Sequence, residues 1–194
     1  MSVAELEIIT LGERVLHESA RELTAEEIAS PEIQALIDDL IETKRAAHGA
    51  GLAANQVGRA LRVAIAEVEE GNPRYPYKPP IPLTVMINPV LEIDDDDEVE
   101  LINEGCLSLP DVRAEVPRHM SVTVRYLDRH GEARVERKRG LTAGTFQHEI
   151  DHLEGTLITD RADAESVTTW EEYERSAREA FERRAGEIVA RYGQ

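Results

Sequence analysis

The sequence predicts an α+β fold. Three observations carry the prediction: an apolar stripe at helical spacing near the start, alternating β-type segments through the middle, and two further helical segments toward the end. "LTAEEIASPEIQALIDDLIETKRAAHG" reads as two helical pieces, the first a short turn with Thr24 and Glu27 as a capping box. Ser30-Pro31 opens the second, with proline at the first helical position. Ile33, Leu36, Ile37, Leu40 and Ile41 form its apolar stripe, and Gly49 and Gly51 end it. "LRVAIAEV" alternates at Leu61, Val63 and Ile65, as a strand does. "GNPRYPYKPPIP", Gly71 to Pro82, is too proline-rich for a helix or a central strand.

"LTVMI" is a short strand closed by Asn88-Pro89. "DDDDE", Asp94 to Glu98, reads as a solvated turn, because the glycine and terminal glutamate of a calcium loop are missing. "VELI" and "VRAEV" follow as strands, and "MSVTVRYLDRHGEARVERKR" is a hairpin turning at Asp128 to Gly131. A helix containing "TFQHEIDHLEG" then ends near Gly155. Thr169 with Glu172 forms a second capping box, opening a long helix to about Arg191. Its thin apolar side is Trp170, Tyr173, Ala177, Phe181 and Ile188. Repeats are absent, so residues 1–194 are expected to form a single domain, with 170–191 a helical extension of it.

Hydrophobic residues make up 41% of the 194, enough for a core, and the net charge is −17. That charge disfavours direct DNA binding through a broad basic face. The lysines are Lys44, Lys78 and Lys138 alone. Such a surface suits a salt-rich cytoplasm, where screening weakens self-repulsion, and it also suits an ordinary acidic protein. "MSVAELEIIT" has no apolar run, and no stretch is apolar for long enough to span a membrane. The single cysteine, Cys106, rules out an intramolecular disulfide and fits a cytoplasmic location.

The helical segment also carries chemistry. His148 and His152 lie four residues apart, so on a helix both imidazoles project from one face and reach a single ion. Glu149 sits beside them, free to handle protons. A catalytic site of this kind needs a third protein ligand and an open position. Downstream, Glu171 or Glu172 has the spacing of a gluzincin-like metallopeptidase, although both also suit the first turn of a capped helix. Upstream, Cys106 offers a thiolate matched to a divalent transition metal, although a lone cysteine is often an inert core residue. Spacing leaves the choice open.

"GAGLAANQ" (49–56), "EGCLS" (104–108) and "QHEIDHL" (147–153) together resemble the peptide deformylase family, in order and separation. The resemblance runs from about Ile8 to Arg161. It implies an enzyme that removes the formyl group from the initiator formyl-methionine of new polypeptides. It implies Cys106, His148 and His152 as metal ligands, Glu149 as acid/base, and Gln56 and the Leu107 N–H as donors to the developing oxyanion. One divalent ion is implied, Fe2+ in the cell, with Zn2+, Ni2+ or Co2+ accepted in preparations.

Glu104 and Arg118 resemble the family's motif pair, and Arg113 matches a position near the peptide cleft. Gly49 and Gly51 admit a second reading, in which they let the backbone approach substrate closely. Asn55 departs from the usual pattern at a position expected to matter little. Gly144 and Thr145 replace larger apolar residues near the methionine pocket. His17, His48, His119 and His130 are expected on the surface or in loops. The C-terminal arginines admit two readings, transient contact with ribosomal RNA or pairing with neighbouring glutamates. The alternatives to a deformylase are the gluzincin-like peptidase and a catalytically silent binding protein on the same fold.

Overall fold

The computed structural model of the chain describes residues 4–94 and 98–193; Asp95–Asp97, the middle of the acidic run, lie outside them. Two helical pieces, the short α1 (Ala25–Ile28) and the 16-residue α2 (Pro31–Ala46), form near the start as expected. Thr24 and Glu27 form the reciprocal capping box, and Ser30 caps α2 with Pro31 at its first turn. The left-handed residue after α2 is His48 (φ 52°), so Gly49 and Gly51 serve a purpose other than ending the helix.

A five-stranded antiparallel sheet has the order β1-β2-β3-β6-β7, formed by β1 (Gly51–Ala53), β2 (Val63–Val68), β3 (Ile81–Ile93), β6 (Ser121–Leu127) and β7 (Ala133–Arg139). Between β3 and β6 in the chain, β4 (Val99–Cys106) and β5 (Leu109–His119) form a long hairpin, extended by β8 (Thr168–Thr169) into a second sheet. The helix α3 (Gly140–Leu153) follows β7. After it come α4 (Ile158–Arg161), α5 (Trp170–Glu172) and α6 (Arg178–Tyr192).

β2 explains how the layers stack. Val63 and Ile65 pack with Ile37, Leu40 and Ile41 of α2, while Ala64 and Ala66 pack with Ala143, Phe146 and Ile150 of α3. Both faces of this strand are therefore covered, and alanines on one side let α3 approach closely. Every residue of α3 except His148 is buried, as expected of a helix enclosed by protein.

The expected end of β3 is corrected. β3 does not close at Asn88-Pro89: the strand continues to Ile93 through a register shift between Ile87 and Val90. Asn88 adopts φ 50°, and its amide bonds the Leu23 N–H and C=O, so the bulge absorbs the proline that would break a regular ladder. The long C-terminal helix is present as expected, with Tyr173–Ala177 forming a wide π-type turn between α5 and α6. The extra residue resets the phase so that Tyr173, Phe181, Ala185 and Ile188 share one buried face. Thr169 caps the segment, but Glu172 turns away to Arg175 instead of completing a box.

The acidic run is partly committed to structure: Asp94 accepts from Ser121 and Thr123, and Glu98 pairs with Arg191 at 2.5 Å. The arginines of the C-terminal segment are likewise engaged, Arg178 with Glu174 and Glu182, and Arg183 with Glu179. Among the described residues no helix is long and apolar enough to cross a membrane.

A buried ion pair ties α2 to β2. Lys44, 1% exposed, donates to Glu67 Oε2 at 2.7 Å, and Arg45 donates to both Glu67 oxygens. The hydrogen bonds from Arg45, joined by Lys44 and opposed by burial, pull the Glu67 carboxyl down to about 2. A depressed carboxyl contributes stability that is complete above the unfolded value of about 4.3 and is lost as pH falls through about 2. Glu67→Gln should therefore cost about 3 kcal/mol at pH 7, shrinking toward zero near pH 2. Urea unfolding of both proteins from pH 7 to pH 2 checks this; a pH-independent difference would count against the pair.

Candidate metal centre

α3 presents His148 and His152 on one face, their ring centroids 4.9 Å apart. The β4–β5 hairpin brings Cys106 to them from a different layer, with Sγ 3.3 Å from His152 Nε2. Among the described residues Cys106, His148 and His152 form a group whose donor atoms all lie within 4.8 Å of one another. One thiolate and two imidazoles form a donor set suited to a divalent transition ion, and Cys106 and His148 line a cavity.

The residues around the donors orient them. Glu104 Oε2 lies 2.8 Å from His148 Nδ1, leaving Nε2 of that ring to face Cys106 and His152. Arg118 donates to both Glu104 oxygens at 2.8 and 2.9 Å and to Asp151 at 2.6 Å. Arg161 closes the chain on Asp151. Burial alone would raise the Glu104 carboxyl, but Arg118 and His148 hold it well below the carboxylate range. Burial likewise opposes ionisation of Cys106, yet the adjacent His152 and His148 bring its thiol down to about 5. The site thus favours thiolate, the form that binds metal.

Asn55 is a correction. It is fully buried, and its Nδ2 donates to the His152 carbonyl at 2.5 Å, tying the end of α3 to the turn after β1. Sequence spacing gives no hint of this contact, which joins residues 97 apart.

Glu149 lies beside the trio, 3% exposed, with Oε2 unpartnered. Burial raises its carboxyl above the usual range. Gly51 makes room for it, since a Cβ there would sit 2.2 Å from Glu149 Oε1. Gly49 gives similar clearance to the Leu107 side chain, at 2.8 Å. Gly51→Ala should therefore displace Glu149 and lower kcat by about 100-fold, since an ångström of misplacement costs that much. Melting temperature and metal content should change little. An unchanged kcat would mean that Glu149 tolerates displacement.

Gln56 Oε1 accepts from the Ala53 N–H at 2.9 Å, which turns its NH2 toward Ser108 Oγ at 3.1 Å and Cys106 Sγ at 3.5 Å. Gly51, Gln56, Leu107 and Thr145 line the same cavity as Cys106, His148 and Glu149. Ser108, which the sequence reading did not single out, is buried and holds the Gln56 amide.

Gly144 and Arg113 are not among the residues that line this cavity. Gly144 faces Arg118, whose Cγ would be 3.8 Å from an added Cβ. Arg113 is fully buried behind Gly105, donating to Asn103 Oδ1 and O, with its guanidinium 4.3 Å from the Tyr173 ring and 4.9 Å from Trp170. It braces the strand that carries Cys106 and is not part of the cavity wall. Glu171 and Glu172 are outside the donor group, and Glu172 pairs with Arg175. His17, His48 and His130 are exposed, and His119 is half-buried at the end of β5.

A family model described as polypeptide deformylase matches residues 5–167. Peptide deformylase 2 of Nostoc sp. is 42% identical over 170 residues, which cover 87% of this chain and 93% of that protein. The Met-Ala-Ser-bound class I type b peptide deformylase of Acinetobacter baumannii superposes with a TM-score of 0.76 at 38% identity, over 83% of this chain and 99% of that one. A peptide deformylase from Synechococcus elongatus in complex with actinonin superposes with a TM-score of 0.71 at 34% identity, over 84% of this chain and 81% of that one.

Proposed function

The chain belongs to the polypeptide deformylase family, and from that premise we propose how its residues remove the N-formyl group from the initiator formyl-methionine of new polypeptides. The observation that carries the reading is the convergence of Cys106, His148 and His152 beside the unpartnered Glu149 carboxylate. The reading takes the whole chain as one catalytic unit, supported by the packing of Tyr173, Phe181 and Ile188 against Leu141 of α3.

Cys106 Sγ and the two imidazoles would hold one divalent ion. Fe2+ is the proposed ion in the cell, and Zn2+, Ni2+ or Co2+ suit the same donors. Such an ion supplies Lewis acidity, which lowers the pKa of a water from about 15.7 to about 7. Glu149, its carboxyl raised by burial, is suited to accept a proton from the attacking water and return it to the departing amine. The Gln56 NH2 and the Leu107 N–H would donate to the formyl oxygen as charge gathers there, each worth about 100- to 1000-fold in rate. Gly51 gives Glu149 the space to work, and Thr145 forms part of the cavity wall.

The substrate class is a formylated peptide with methionine first, which the Met-Ala-Ser ligand of the Acinetobacter relative supports. Pairing within the helix is the reading favoured for the C-terminal arginines over ribosome contact, because Arg178 and Arg183 already have glutamate partners. A cytoplasmic location suits a site that depends on one reduced thiol. A thiolate beside ferrous iron should also lose activity in air.

The test is formate release from formyl-Met-Ala-Ser by anaerobically purified, metal-analysed protein. Metal-loaded protein that releases no formate defeats the proposal. Cleavage of internal peptide bonds instead would revive the gluzincin-like reading.

A further inference from the structure

The cavity of the metal cluster has walls from distant parts of the chain. The proline-rich loop supplies Tyr75, Tyr77 and Lys78, and the end of β4 supplies Gly105, Cys106 and Leu107. Residues 71–80 form no helix or strand, so side-chain contacts must hold the loop. Asn72 accepts from the Arg74 and Tyr75 N–H groups and donates to the His48 carbonyl, and Lys78 donates to Thr145 Oγ1 at 2.7 Å. Two further anchors come from the C-terminal segment. The Arg74 guanidinium lies 5.0 Å over the Trp170 ring, and Tyr77 meets Phe181 edge-on at 5.0 Å.

Trp170 also reaches the other wall. Arg113 stands opposite Gly105 in the β4–β5 register, and its guanidinium is 4.9 Å from the same indole ring. A Cβ on Gly105 would lie 3.6 Å from Trp170 Cζ3. Arg113 is fully buried, its Nη1 has no partner, and among the described residues no carboxylate pairs with it. Burying a charge without a counter-charge is costly, and the faces of Trp170 and Tyr173 are what its surroundings offer instead.

The chain delivers Trp170 to this point by pairing β8 with β5, Thr168 opposite Arg113, and by capping the next turn with Thr169. One indole thus meets a guanidinium from each wall. It lies beyond residues 5–167, the stretch that the family model matches.

We propose that Trp170 is a positioning residue of the active site, fixing the proline-rich loop against the Cys106 strand by stacking with Arg74 and Arg113. The inference rests on the deformylase reading. Trp170 does not line the cavity, so it acts only through the residues it holds. Its loss lets the walls part, which weakens ground-state and transition-state binding alike. The mark of such a role is a raised KM at unchanged kcat. A merely structural tryptophan would change the melting temperature and leave KM where it was.

The experiment measures kcat, KM and metal content for the full-length metal-loaded protein and four variants, with formyl-Met-Ala-Ser as substrate. Trp170→Leu keeps apolar bulk without an aromatic face, and Trp170→Phe keeps a face. Arg74→Ala removes the loop's guanidinium alone, and the fourth variant combines it with Trp170→Leu. KM is expected to rise about tenfold in Trp170→Leu and in Arg74→Ala, equivalent to about 1.4 kcal/mol and the size of a desolvated cation–π contact. Metal content and kcat should hold, and Trp170→Phe should stay close to wild type. The double variant should be little worse than either single one, because the two side chains share one contact. An unchanged KM in Trp170→Leu overturns the proposal, as does a fall in kcat at constant KM. So does a Trp170→Phe as impaired as Trp170→Leu, or full additivity in the double variant. If Trp170→Leu does not fold, Arg74→Ala, which leaves β8 and Arg113 in place, decides by the same KM criterion. Wild-type protein that releases no formate would instead defeat the deformylase reading beneath it.

Discussion

Glu149→Gln is expected to keep its metal and lose formate release by about 1000-fold, within the range for a positioned acid/base. The amide preserves the shape of a side chain that is 3% exposed and packed against Gly51, so the fold has no reason to change. What disappears is a carboxyl whose Oε2 has no protein partner and is therefore free to take a proton from water. Metal content and formate release are to be read on the same preparation. A variant within a few-fold of wild type would remove Glu149 from the mechanism and leave its burial without a function.

Cys106→Ala is expected to abolish deformylation and to lower metal occupancy. Its Sγ is the proposed third donor, and the remaining imidazoles would make a weaker site for a divalent ion. The thiolate also receives the Gln56 amide at 3.5 Å, so its loss would loosen a proposed oxyanion donor as well. Glu171→Gln and Glu172→Gln should stay close to wild type. Both lie in the first turn of α5, where an exposed carboxylate is worth a few tenths of a kcal/mol to about one. Metal analysis and kinetics on the three variants separate the two enzyme readings. A fully metallated, active Cys106→Ala alongside a metal-free glutamine variant would place the third ligand downstream and break the proposed mechanism at its centre.

The histidine pair was legible because its information is local. Four residues of helix bring both rings to one face whatever the rest of the chain does, and the structure has them there. The caps at Thr24 and Ser30 and the stripe of α2 were legible for the same reason. Cys106 stood on its thiolate chemistry and on motif resemblance until the β4–β5 hairpin carried it to His152, since nothing in the spacing of residues 46 apart encodes a distance. Glu104 and Arg118 were paired by resemblance too, but Asp151 and Arg161, which extend that pair, were not foreseen.

The sequence by itself determined the α+β class, the placement of the histidine pair on a helix and the acidic, lysine-poor composition, because periodicity, capping and composition act within one element or along the whole chain. Only the tertiary structure decided that β3 runs on through Pro89 and that His48, not a glycine, turns left-handed after α2. It alone revealed that Gly51 exists to clear Glu149, that Asn55 holds the end of α3, and that Arg113 is a buried brace. It also brought Lys78 from a proline-rich loop to Thr145, 67 residues away, through aromatic contacts with a C-terminal segment. Each of these depends on which layers meet and how closely, and a pattern within one strand or helix carries no record of the surface packed against it.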